Sequence, residues 1–421
     1  MTYGNKPRIV IVGAGFAGLA VAQGLRRAAV DITLIDRQNH HLFQPLLYQV
    51  ATAGLSPAEI AWPVRHLMRR QANARVLMGE VTAVDPARKV VTLDAGPIAY
   101  DFLVLATGAT HGYFGRDEWA VHAPGLKTLD DATAIRRRIL LAFERAEMAS
   151  NPEECARLLT IAIVGGGPTG VELAGAVAEL SRRALARDFR AIDPARTRVL
   201  LVEAGPRLLA NFPESLSRYT AEALAAIGVE VRLGHAVTHC DGDGVRIGAE
   251  FVRAGTVVWA AGVRASPAAR WLGIEADRAG RVPVDPELRA PGQADIYVIG
   301  DTALAKNPDG VPQPGIAPVA KQQGAYVARA LIARVAGRAP PPFKYRDRGL
   351  LATIGRKAAV IAFKRMRLKG WIAWWIWGAA HVYFLVSLRN RIIVVTQWLW
   401  SYLVFERGAR LITGQDPKRA P

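Results

Sequence analysis

The fold is decided by residues 8–18, Arg-Ile-Val-Ile-Val-Gly-Ala-Gly-Phe-Ala-Gly, a pattern that returns at residues 160–170 as Thr-Ile-Ala-Ile-Val-Gly-Gly-Gly-Pro-Thr-Gly. Each copy is a β-branched apolar run, then glycines spaced G-x-G-x-x-G, then a helix-forming run. Glycines at this spacing allow a tight turn and a close approach of the backbone to a pyrophosphate, which binds at the N-terminal end of the helix. The chain is therefore predicted to bind two dinucleotides.

An acid ends the strand that follows each motif. Asp36 lies 23 residues beyond Gly13, close to the spacing expected for a carboxylate that binds both ribose hydroxyls. Glu203 lies 38 residues beyond Gly165, so the polar stretch 181–195 has to lengthen the intervening helix and loop. Glu203 is predicted to bind the second ribose, and an acid that merely ends a surface strand is the alternative.

Three further segments complete the pattern. Residues 100–110 and 255–263 are predicted strands that end in small residues, which let the backbone touch a cofactor. Residues 294–301 form another predicted strand that delivers Asp301 to its carboxyl end, where α/β sheets bind ligands. The predicted fold class is α/β, with two Rossmann-like dinucleotide-binding domains, the second inserted in the first, plus a C-terminal amphipathic helical module. The predicted boundaries are 1–118 and 266–335 for the two parts of the first domain, 119–265 for the second domain and 336–421 for the module.

Cysteine content excludes several kinds of chemistry. Cys155 and Cys240 are the two cysteines of the chain and lie far apart, so no disulfide framework, zinc site or iron–sulfur cluster is predicted. Residues 39–52, which follow the first motif, contain no cysteine, and this absence excludes a dithiol electron acceptor there. The histidines show no metal-ligand spacing, and no metal site is predicted. Because no secretory signal is visible, we expect the protein to face the cytoplasm.

The positive charge is concentrated at the C-terminal end. Of the net +18, the last 79 residues carry 15 Lys and Arg against 3 Asp and Glu, together with six of the ten tryptophans. Basic residues beside tryptophans are typical of a membrane surface. Residues 371–388 are uncharged and long enough for a transmembrane helix, but His381 and the clustered tryptophans favour an interfacial helix. A hydrophobic homodimer interface is a compatible alternative. The predicted membrane anchors are Trp371, Trp374, Trp375, Trp398 and Trp400.

Two levels of resemblance follow from these motifs. The blocks at 13–18, 106–108, 165–170 and 300–301, in this order, resemble the two-dinucleotide flavoprotein oxidoreductases related to glutathione reductase. Residues 40–51, 170–175 and 389–414 resemble type II NADH dehydrogenases, the single-subunit, non-proton-pumping NADH:quinone oxidoreductases. This second resemblance covers essentially the whole chain.

The resemblance implies which residues serve each cofactor. The first domain would bind FAD through Gly13, Ala14, Gly15, Phe16, Ala17, Gly18, Asp36, Arg37, Val81, Ala106, Thr107, Gly108, Gly300 and Asp301. The internal domain would bind NADH through Gly165, Gly166, Gly167, Thr169, Gly170, Glu172, Glu203, Ala261 and Gly262. An acid at 203 repels a 2′-phosphate and so favours NADH over NADPH, although Arg207 works against that preference.

The acceptor site is implied by a short family motif, Ala-Gln-x-Ala-x-Gln, that lies where quinone meets flavin. Here the corresponding run contains Ala317, Pro318, Lys321 and Gln322, so the second glutamine is kept and the first is replaced by proline. These four residues are the predicted quinone site. Pro318 removes the contact expected at that position.

Glu172 is the predicted catalytic residue. The matching place in the first motif is Ala20, so the fold does not itself require an acid there. The resemblance implies that Glu172 bonds the nicotinamide carboxamide or relays protons to reduced quinone. A favourable interaction with the helix dipole is the alternative, and it is typically worth about 0.3–1 kcal/mol.

The function that the sequence predicts is electron transfer from NADH through FAD to a membrane quinone, by a peripheral protein on the cytoplasmic face of the cell inner membrane. Its expected partners are quinone and an anionic lipid surface, and no nucleic-acid module is recognisable. The alternatives are a reductase of a ferredoxin- or rubredoxin-like protein and a membrane-attached NADH redox sensor.

Overall fold

The structure is a computed structural model that describes residues 6–385, 387–404 and 408–414, without the side chains of residues 402 and 403. The chain forms two compact units. The first unit comprises the chain up to Leu42, then Ala61–Thr110 and Val263–Asp347. The second comprises Phe43–Ile60, His111–Gly262 and the chain from Arg348 onward. Each unit is built around one parallel sheet.

The first unit has a five-stranded parallel sheet whose middle strand carries the first glycine motif. That strand, Arg8–Val12, is apolar and β-branched, and Ile9 and Ile11 are completely buried, as expected for a strand covered on both faces. The strand order is Ile296–Val298, Phe102–Leu105, Arg8–Val12, Asp31–Asp36, Ala74–Met78. The glycine turn therefore lies at the carboxyl edge of the central strand, where such sheets bind ligands.

The remaining elements of the first unit surround this sheet. Its α-helices are Phe16–Gly24, Val64–Met68, Ala268–Leu272 and Ala317–Val335, and a 3-10 turn spans Gly300–Thr302. A three-stranded antiparallel sheet contains Val81–Asp85, Val90–Leu93 and Gly96–Ala99. Short strand pairs are His40–Leu42 with Ala61–Pro63 and Val282–Pro283 with Ala303–Leu304.

The second unit repeats this plan. Its parallel sheet has the order Val229–Leu233, Arg198–Glu203, Thr160–Val164, Thr256–Trp259, again with the motif strand inside the sheet. A second antiparallel three-stranded sheet contains Val237–Cys240, Gly244–Ile247 and Glu250–Arg253. The two short strands Ala109–His111 and Val263–Ala265 lie where the chain passes from one unit to the other.

Several helices also belong to the second unit. They are Leu47–Ala51, Pro57–Ile60, Leu129–Met148, Pro152–Leu158, Pro168–Glu179 and Glu214–Ala226, with 3-10 turns at Gln44–Leu46, Asp117–Val121 and Pro194–Arg196. The motif helix ends at Glu179 and continues as a π-helical turn, Leu180–Ala184. This turn and the loop after it account for the long spacing between Gly165 and Glu203.

The C-terminal part adds a third antiparallel sheet and two helices. The sheet contains Leu350–Gly355, Ala358–Phe363 and Met366–Lys369. The helices are Gly370–Phe384 and Leu388–Val404, so the uncharged run predicted from the sequence is interrupted after Phe384. None of the helices in the described ranges combines the length and apolarity needed to cross a bilayer.

Close backbone contact joins this C-terminal sheet to the motif helix. A Cβ on Gly175 would lie 1.7 Å from the carbonyl oxygen of Ile354, so only glycine allows this approach. The α/β class with two Rossmann-like sheets is confirmed. The division of the sequence into two flavin-domain parts, an NADH domain and a separate C-terminal module stays a prediction.

Candidate functional site

The three glycines of the first motif have three different surroundings. Gly13 has φ +99°, and a Cβ there would lie 2.3 Å from the carbonyl oxygen of Ala106. A Cβ on Gly18 would lie 1.8 Å from the carbonyl oxygen of Gly13, which is a clash between helix and strand. A Cβ on Gly15 would meet nothing within 4 Å. Gly15 therefore faces the open space that a pyrophosphate requires, while its neighbours pack the fold.

The second motif reproduces each of these roles. Gly165 has φ +113°, and its Cβ would lie 2.6 Å from the backbone of Ala260. A Cβ on Gly170 would lie 1.8 Å from the carbonyl oxygen of Gly165, and one on Gly167 would meet nothing within 4 Å. Both loops precede a helix whose first N–H groups have no partner within the helix. Each unit thus offers one open anion-binding loop.

The two acids are held in the same way despite their different spacing from the glycines. Asp36 accepts the N–H of Ala14 at 2.6 Å and that of Gln38 at 2.8 Å. Glu203 accepts the N–H of Gly166 at 2.5 Å and that of Gly205 at 2.7 Å. In each case the donors are the second motif residue and the residue two positions after the acid. Glu203 is therefore the structural counterpart of Asp36.

The Arg207 side chain is bonded to its own loop. Its guanidinium donates to the carbonyl oxygens of Phe212 at 3.0 Å and Ala210 at 2.6 Å. These bonds hold the cation on the following turn of its own loop. From the sequence, Arg207 could have attracted a 2′-phosphate and so favoured NADPH. Its bonds to backbone carbonyls weaken that possibility.

The other predicted FAD residues cluster at the carboxyl edge of the first sheet. Thr107 lies 2.5 Å from the hydroxyl of Ser266 and 3.1 Å from that of Thr302. Thr302 also donates to the carbonyl oxygen of Gly108, whose φ is +67°. Sequence reasoning missed Ser266 and Thr302, because a lone hydroxyl carries no spacing signal.

A buried glutamine fixes the turn that carries Asp301. Gln323 is 1 % exposed and accepts the N–H of Gly300 at 2.7 Å, while its amide donates to Gln313 at 3.0 Å. Asp301 itself is half-buried. Of the remaining predicted FAD residues, Val81 is buried, Phe16 is half-buried and Arg37 is exposed.

His41 supports the first glycine loop and was not predicted to do so. The ring is 2 % exposed, and its Nδ1 donates to the carbonyl oxygen of Ala14 at 2.9 Å. It also packs edge-to-face on Phe16 at 5.1 Å. Burial lowers the pKa of His41, so the ring is neutral at physiological pH.

The predicted quinone motif forms the start of helix Ala317–Val335. Pro318 lies in the first turn, where a proline costs no hydrogen bond. The Gln322 amide donates to the carbonyl oxygen of Arg346 at 2.9 Å and accepts the N–H of the same residue at 3.0 Å. Lys321 is exposed. The amide that the resemblance assigns to quinone is thus bound to the backbone at both ends.

Glu172 is half-buried in the second unit, where it lines a pocket. Its carboxylate accepts the N–H of Thr353 from the C-terminal sheet at 3.3 Å. Burial raises the pKa of Glu172 to about 8, and the bond from Thr353 only partly opposes this rise. The carboxyl group is therefore mostly protonated at neutral pH and able to donate a proton.

The five predicted membrane anchors separate into two groups. Trp371, Trp375 and Trp400 are 63 %, 60 % and 56 % exposed. Trp374 and Trp398 instead line the pocket that contains Glu172, and the indole N–H of Trp398 donates to Gln49 at 2.8 Å. Trp374 and Trp398 are half-buried, so Trp371, Trp375 and Trp400 are the exposed members of the predicted anchor set.

Comparisons with known proteins agree with this geometry. The pyridine nucleotide-disulphide oxidoreductase family profile matches residues 7–324, and the NDH2 C-terminal domain profile matches residues 348–407. The type II NADH:quinone oxidoreductase Ndh of Mycobacterium tuberculosis is 43 % identical over 98 % of this chain and 91 % of its own length. This chain belongs to the type II NADH dehydrogenase family.

More distant members share the fold over nearly the whole chain. An internal alternative NAD(P)H-ubiquinone oxidoreductase of Solanum tuberosum mitochondria is 30 % identical over 96 % of this chain and 88 % of its own length. The solved structure of NDH2 from Plasmodium falciparum in complex with NADH superposes with a TM-score of 0.89 at 21 % identity. That match covers 97 % of this chain and 100 % of the other. The family assignment made from the sequence is confirmed.

FAD is the flavin of this family, and the first unit fits it. The open space beside Gly15 accepts a pyrophosphate, and the Asp36 carboxylate lies at the end of the adjacent strand. A second open loop beside Gly167, with Glu203 at the corresponding place, fits the nicotinamide dinucleotide. The residue-by-residue assignments to each cofactor remain proposals.

Proposed function

We propose that this protein is an NADH:quinone oxidoreductase that passes two electrons from NADH through FAD to a membrane quinone without pumping protons. The observation that carries the proposal is the pair of open glycine loops, each with a carboxylate fixed at the same place. A chain with two such loops holds two dinucleotides at once. The relatives named above as NADH:quinone and NAD(P)H-ubiquinone oxidoreductases support quinone as the acceptor.

NADH is the expected donor. The Glu203 carboxylate is fixed by two N–H groups, so it would lie close to a 2′-phosphate and repel it. Juxtaposed like charges cost several kcal/mol, and the Arg207 cation is committed to its own loop. We therefore expect kcat/KM for NADPH to be at least about 100-fold below that for NADH.

The residues divide the work of the reaction. FAD, when bound, supplies the two-electron chemistry that links a hydride donor to a quinone. The glycine loops and their acids hold the two dinucleotides, and His41 and Gln323 keep the first loop and the Asp301 turn in place. Glu172 is assigned the proton that a quinone oxygen takes up on reduction. A carboxyl group with a pKa near 8 suits this task at neutral pH.

Quinone would meet the first unit at the start of helix Ala317–Val335. Gly324 lets this helix touch the first motif helix, since a Cβ there would lie 2.3 Å from the carbonyl oxygen of Ala17. This close contact holds the helix against the first motif helix. With proline at 318 and Gln322 bound to Arg346, we expect Lys321 and backbone groups to make the polar contacts.

The test is an anaerobic titration of the purified yellow protein. NADH is expected to bleach the flavin absorbance, and menadione or ubiquinone is expected to restore it within a turnover. Recovery that requires a ferredoxin or rubredoxin would identify a protein reductase instead. A protein that NADH does not bleach would be a sensor, and the oxidoreductase proposal would then be wrong.

We also propose peripheral attachment to an anionic bilayer on the cytoplasmic face. Trp371 and Trp375 lie one turn apart on helix Gly370–Phe384, with the half-exposed Ile372 and Ile376 beside them. Basic residues on the adjoining strand Met366–Lys369 add attraction to anionic headgroups, worth about 1 kcal/mol each. A homodimer through the same apolar surface is the alternative, and the two are compatible.

Replacing Trp371 and Trp375 by glutamate should detach the protein from lipid. Each inserted tryptophan contributes about 2 kcal/mol, so partitioning onto phosphatidylglycerol vesicles is expected to fall at least about 100-fold. The matched control is Met148→Glu, which changes a 75 % exposed apolar residue on helix Leu129–Met148. Flavin content should be unchanged in both proteins. Equal vesicle binding by the double variant and the control would exclude this anchor.

A further inference from the structure

Phe114 is a large aromatic residue in a tight turn of the second unit, and its side chain is 77 % exposed. The turn is closed by the N–H of Arg116, which donates to the carbonyl oxygen of Tyr113 at 3.0 Å. The two central residues, Phe114 and Gly115, have φ +52° and +87°. Left-handed backbone at both central positions is the pattern of a type I′ turn, whose usual sequence is Asn-Gly. A bulky residue is disfavoured at the first of these positions, so the turn itself does not call for phenylalanine.

Buried aromatic rings hold the base of this turn in place. Tyr113 and Trp259 are both buried and stack with their ring centroids 5.3 Å apart. The Tyr113 hydroxyl donates to the carbonyl oxygen of Ala123 at 2.9 Å, and the Trp259 indole N–H donates to that of Gly112 at 2.9 Å. The Phe114 ring packs edge-on against Trp259 with the centroids 6.2 Å apart. The exposed ring is therefore carried by a rigid support.

The Phe114 ring reaches the backbone just after strand Thr256–Trp259. A Cβ on Gly262 would lie 2.8 Å from Cζ of Phe114, so glycine at 262 allows the ring this close approach. The same segment touches the second glycine loop, because a Cβ on Gly165 would lie 2.6 Å from the backbone of Ala260. Phe114 thus lies beside the carboxyl edge of the second sheet, where such sheets bind ligands.

The strand order indicates which half of a dinucleotide this ring would meet. Three adjacent strands carry Glu203, the loop of Gly167 and the turn of Gly262 at their carboxyl ends. In such folds the acid binds the adenosine ribose and the glycine loop binds the pyrophosphate. A ligand that runs from Glu203 across Gly167 therefore continues toward Gly262 with its nicotinamide end.

The charges that follow Phe114 argue against a lipid partner. Arg116, Asp117 and Glu118 are all exposed, and Arg116 lies 3.9 Å from Glu118. If the Phe114 ring entered a bilayer, the two carboxylates would be brought against anionic headgroups or lose their water. A small ligand can cover the ring and leave these charges in solvent.

We propose that Phe114 packs its ring against the nicotinamide ring of bound NADH. The inference rests on the proposed function, in which the second glycine loop holds NADH. The nicotinamide is a flat ring that an aromatic side chain can contact by its face or edge. The contact also accounts for a phenylalanine in a left-handed position, since backbone strain of this kind is retained at ligand sites.

ADP-ribose provides the test, because it has the adenosine, pyrophosphate and second ribose of NADH but no nicotinamide ring. Isothermal titration calorimetry of the FAD-loaded protein gives Kd for ADP-ribose and for NAD⁺, which binds without reducing the flavin. Phe114→Ala is expected to raise Kd for NAD⁺ about tenfold and Kd for ADP-ribose less than about twofold. The matched control Phe114→Tyr keeps an aromatic ring and should retain both affinities.

Phe114→Gly separates a ligand contact from a structural role. Glycine adopts the left-handed backbone without strain, so the melting temperature should be equal to or above that of the native protein. The Kd for NAD⁺ should again rise about tenfold. A lower melting temperature, with NAD⁺ and ADP-ribose weakened equally, would show that the ring only holds the turn and would overturn the proposal.

Unchanged NAD⁺ affinity in Phe114→Ala would contradict this inference alone, because the second loop would still bind its dinucleotide. A native FAD-loaded protein that bound neither NAD⁺ nor ADP-ribose would contradict the proposed function, and the Phe114 contact with it. The two failures are therefore distinguished by the native protein's affinity for ADP-ribose.

Discussion

Replacing Glu172 by glutamine is expected to lower quinone-dependent turnover by about 100-fold while leaving reduction by NADH nearly unchanged. The amide keeps the size of the side chain and can still accept the N–H of Thr353, but it has no acidic proton to transfer. General acid catalysis is typically worth 10²–10⁴-fold, and we expect the low end because water can substitute in part. Stopped-flow absorbance of the flavin measures the two half-reactions separately.

The pH dependence follows from the raised pKa of Glu172, about 8. Below that pH the carboxyl is protonated and can donate, so quinone reduction should be fastest there and should fall as the pH rises through 8. The groups that line the same pocket and could modify this profile are Tyr48, Glu179, Arg183 and Arg356. In Glu172→Gln this descending limb should disappear.

Glu172→Asp is the matched control. It keeps the acid but retracts it by one methylene, so partial activity and a descending limb should both remain. Equal rates of quinone reduction in the native and glutamine proteins would show that Glu172 does not transfer the proton. A defect confined to reduction by NADH would instead place Glu172 at the nicotinamide.

The parts of the fold that the sequence predicts well are those that local chemistry dictates. The strands Asp31–Asp36 and Arg198–Glu203 end at the predicted acids, because β-branched runs flanked by turns have few other ways to bury their side chains. The motif glycines could also be predicted, because local packing dictates them. A side chain at Gly18 or Gly170 would clash with the backbone, so the fold requires glycine there and the pattern can be recognised in the sequence.

Contacts between residues that are far apart in the chain could not be predicted from the sequence. The bond from Thr353 to Glu172 joins residues 181 positions apart, and that between Gln323 and Gly300 depends on a helix packed against the turn. The inward position of Trp398 likewise depends on Gln49, far away in the sequence. Composition showed that the C-terminal tryptophans are unusual, but only packing separates the pocket-lining rings from the exposed ones.

The largest expected loss comes from adding one methyl group to either open glycine loop, with opposite consequences for the two cofactors. Gly15→Ala should give a folded but nearly colourless protein, because the new Cβ meets nothing within 4 Å in the protein and occupies the space needed by the FAD pyrophosphate. Gly167→Ala should remain yellow and show at least about a 100-fold lower kcat/KM for NADH. Both backbones have negative φ, −69° and −73°, so alanine introduces no strain.

The comparison with the third glycine of each motif makes these outcomes specific to ligand binding. Gly18→Ala and Gly170→Ala place a Cβ 1.8 Å from a carbonyl oxygen, so they should lower the melting temperature of the protein itself. Gly15→Ala and Gly167→Ala should leave the circular dichroism spectrum of the cofactor-free protein unchanged. Flavin content, measured by absorbance after gel filtration, and NADH kinetics with menadione then assign one dinucleotide to each loop. If Gly15→Ala retained full FAD and Gly167→Ala lost it, the assignment of FAD to the first loop would be reversed.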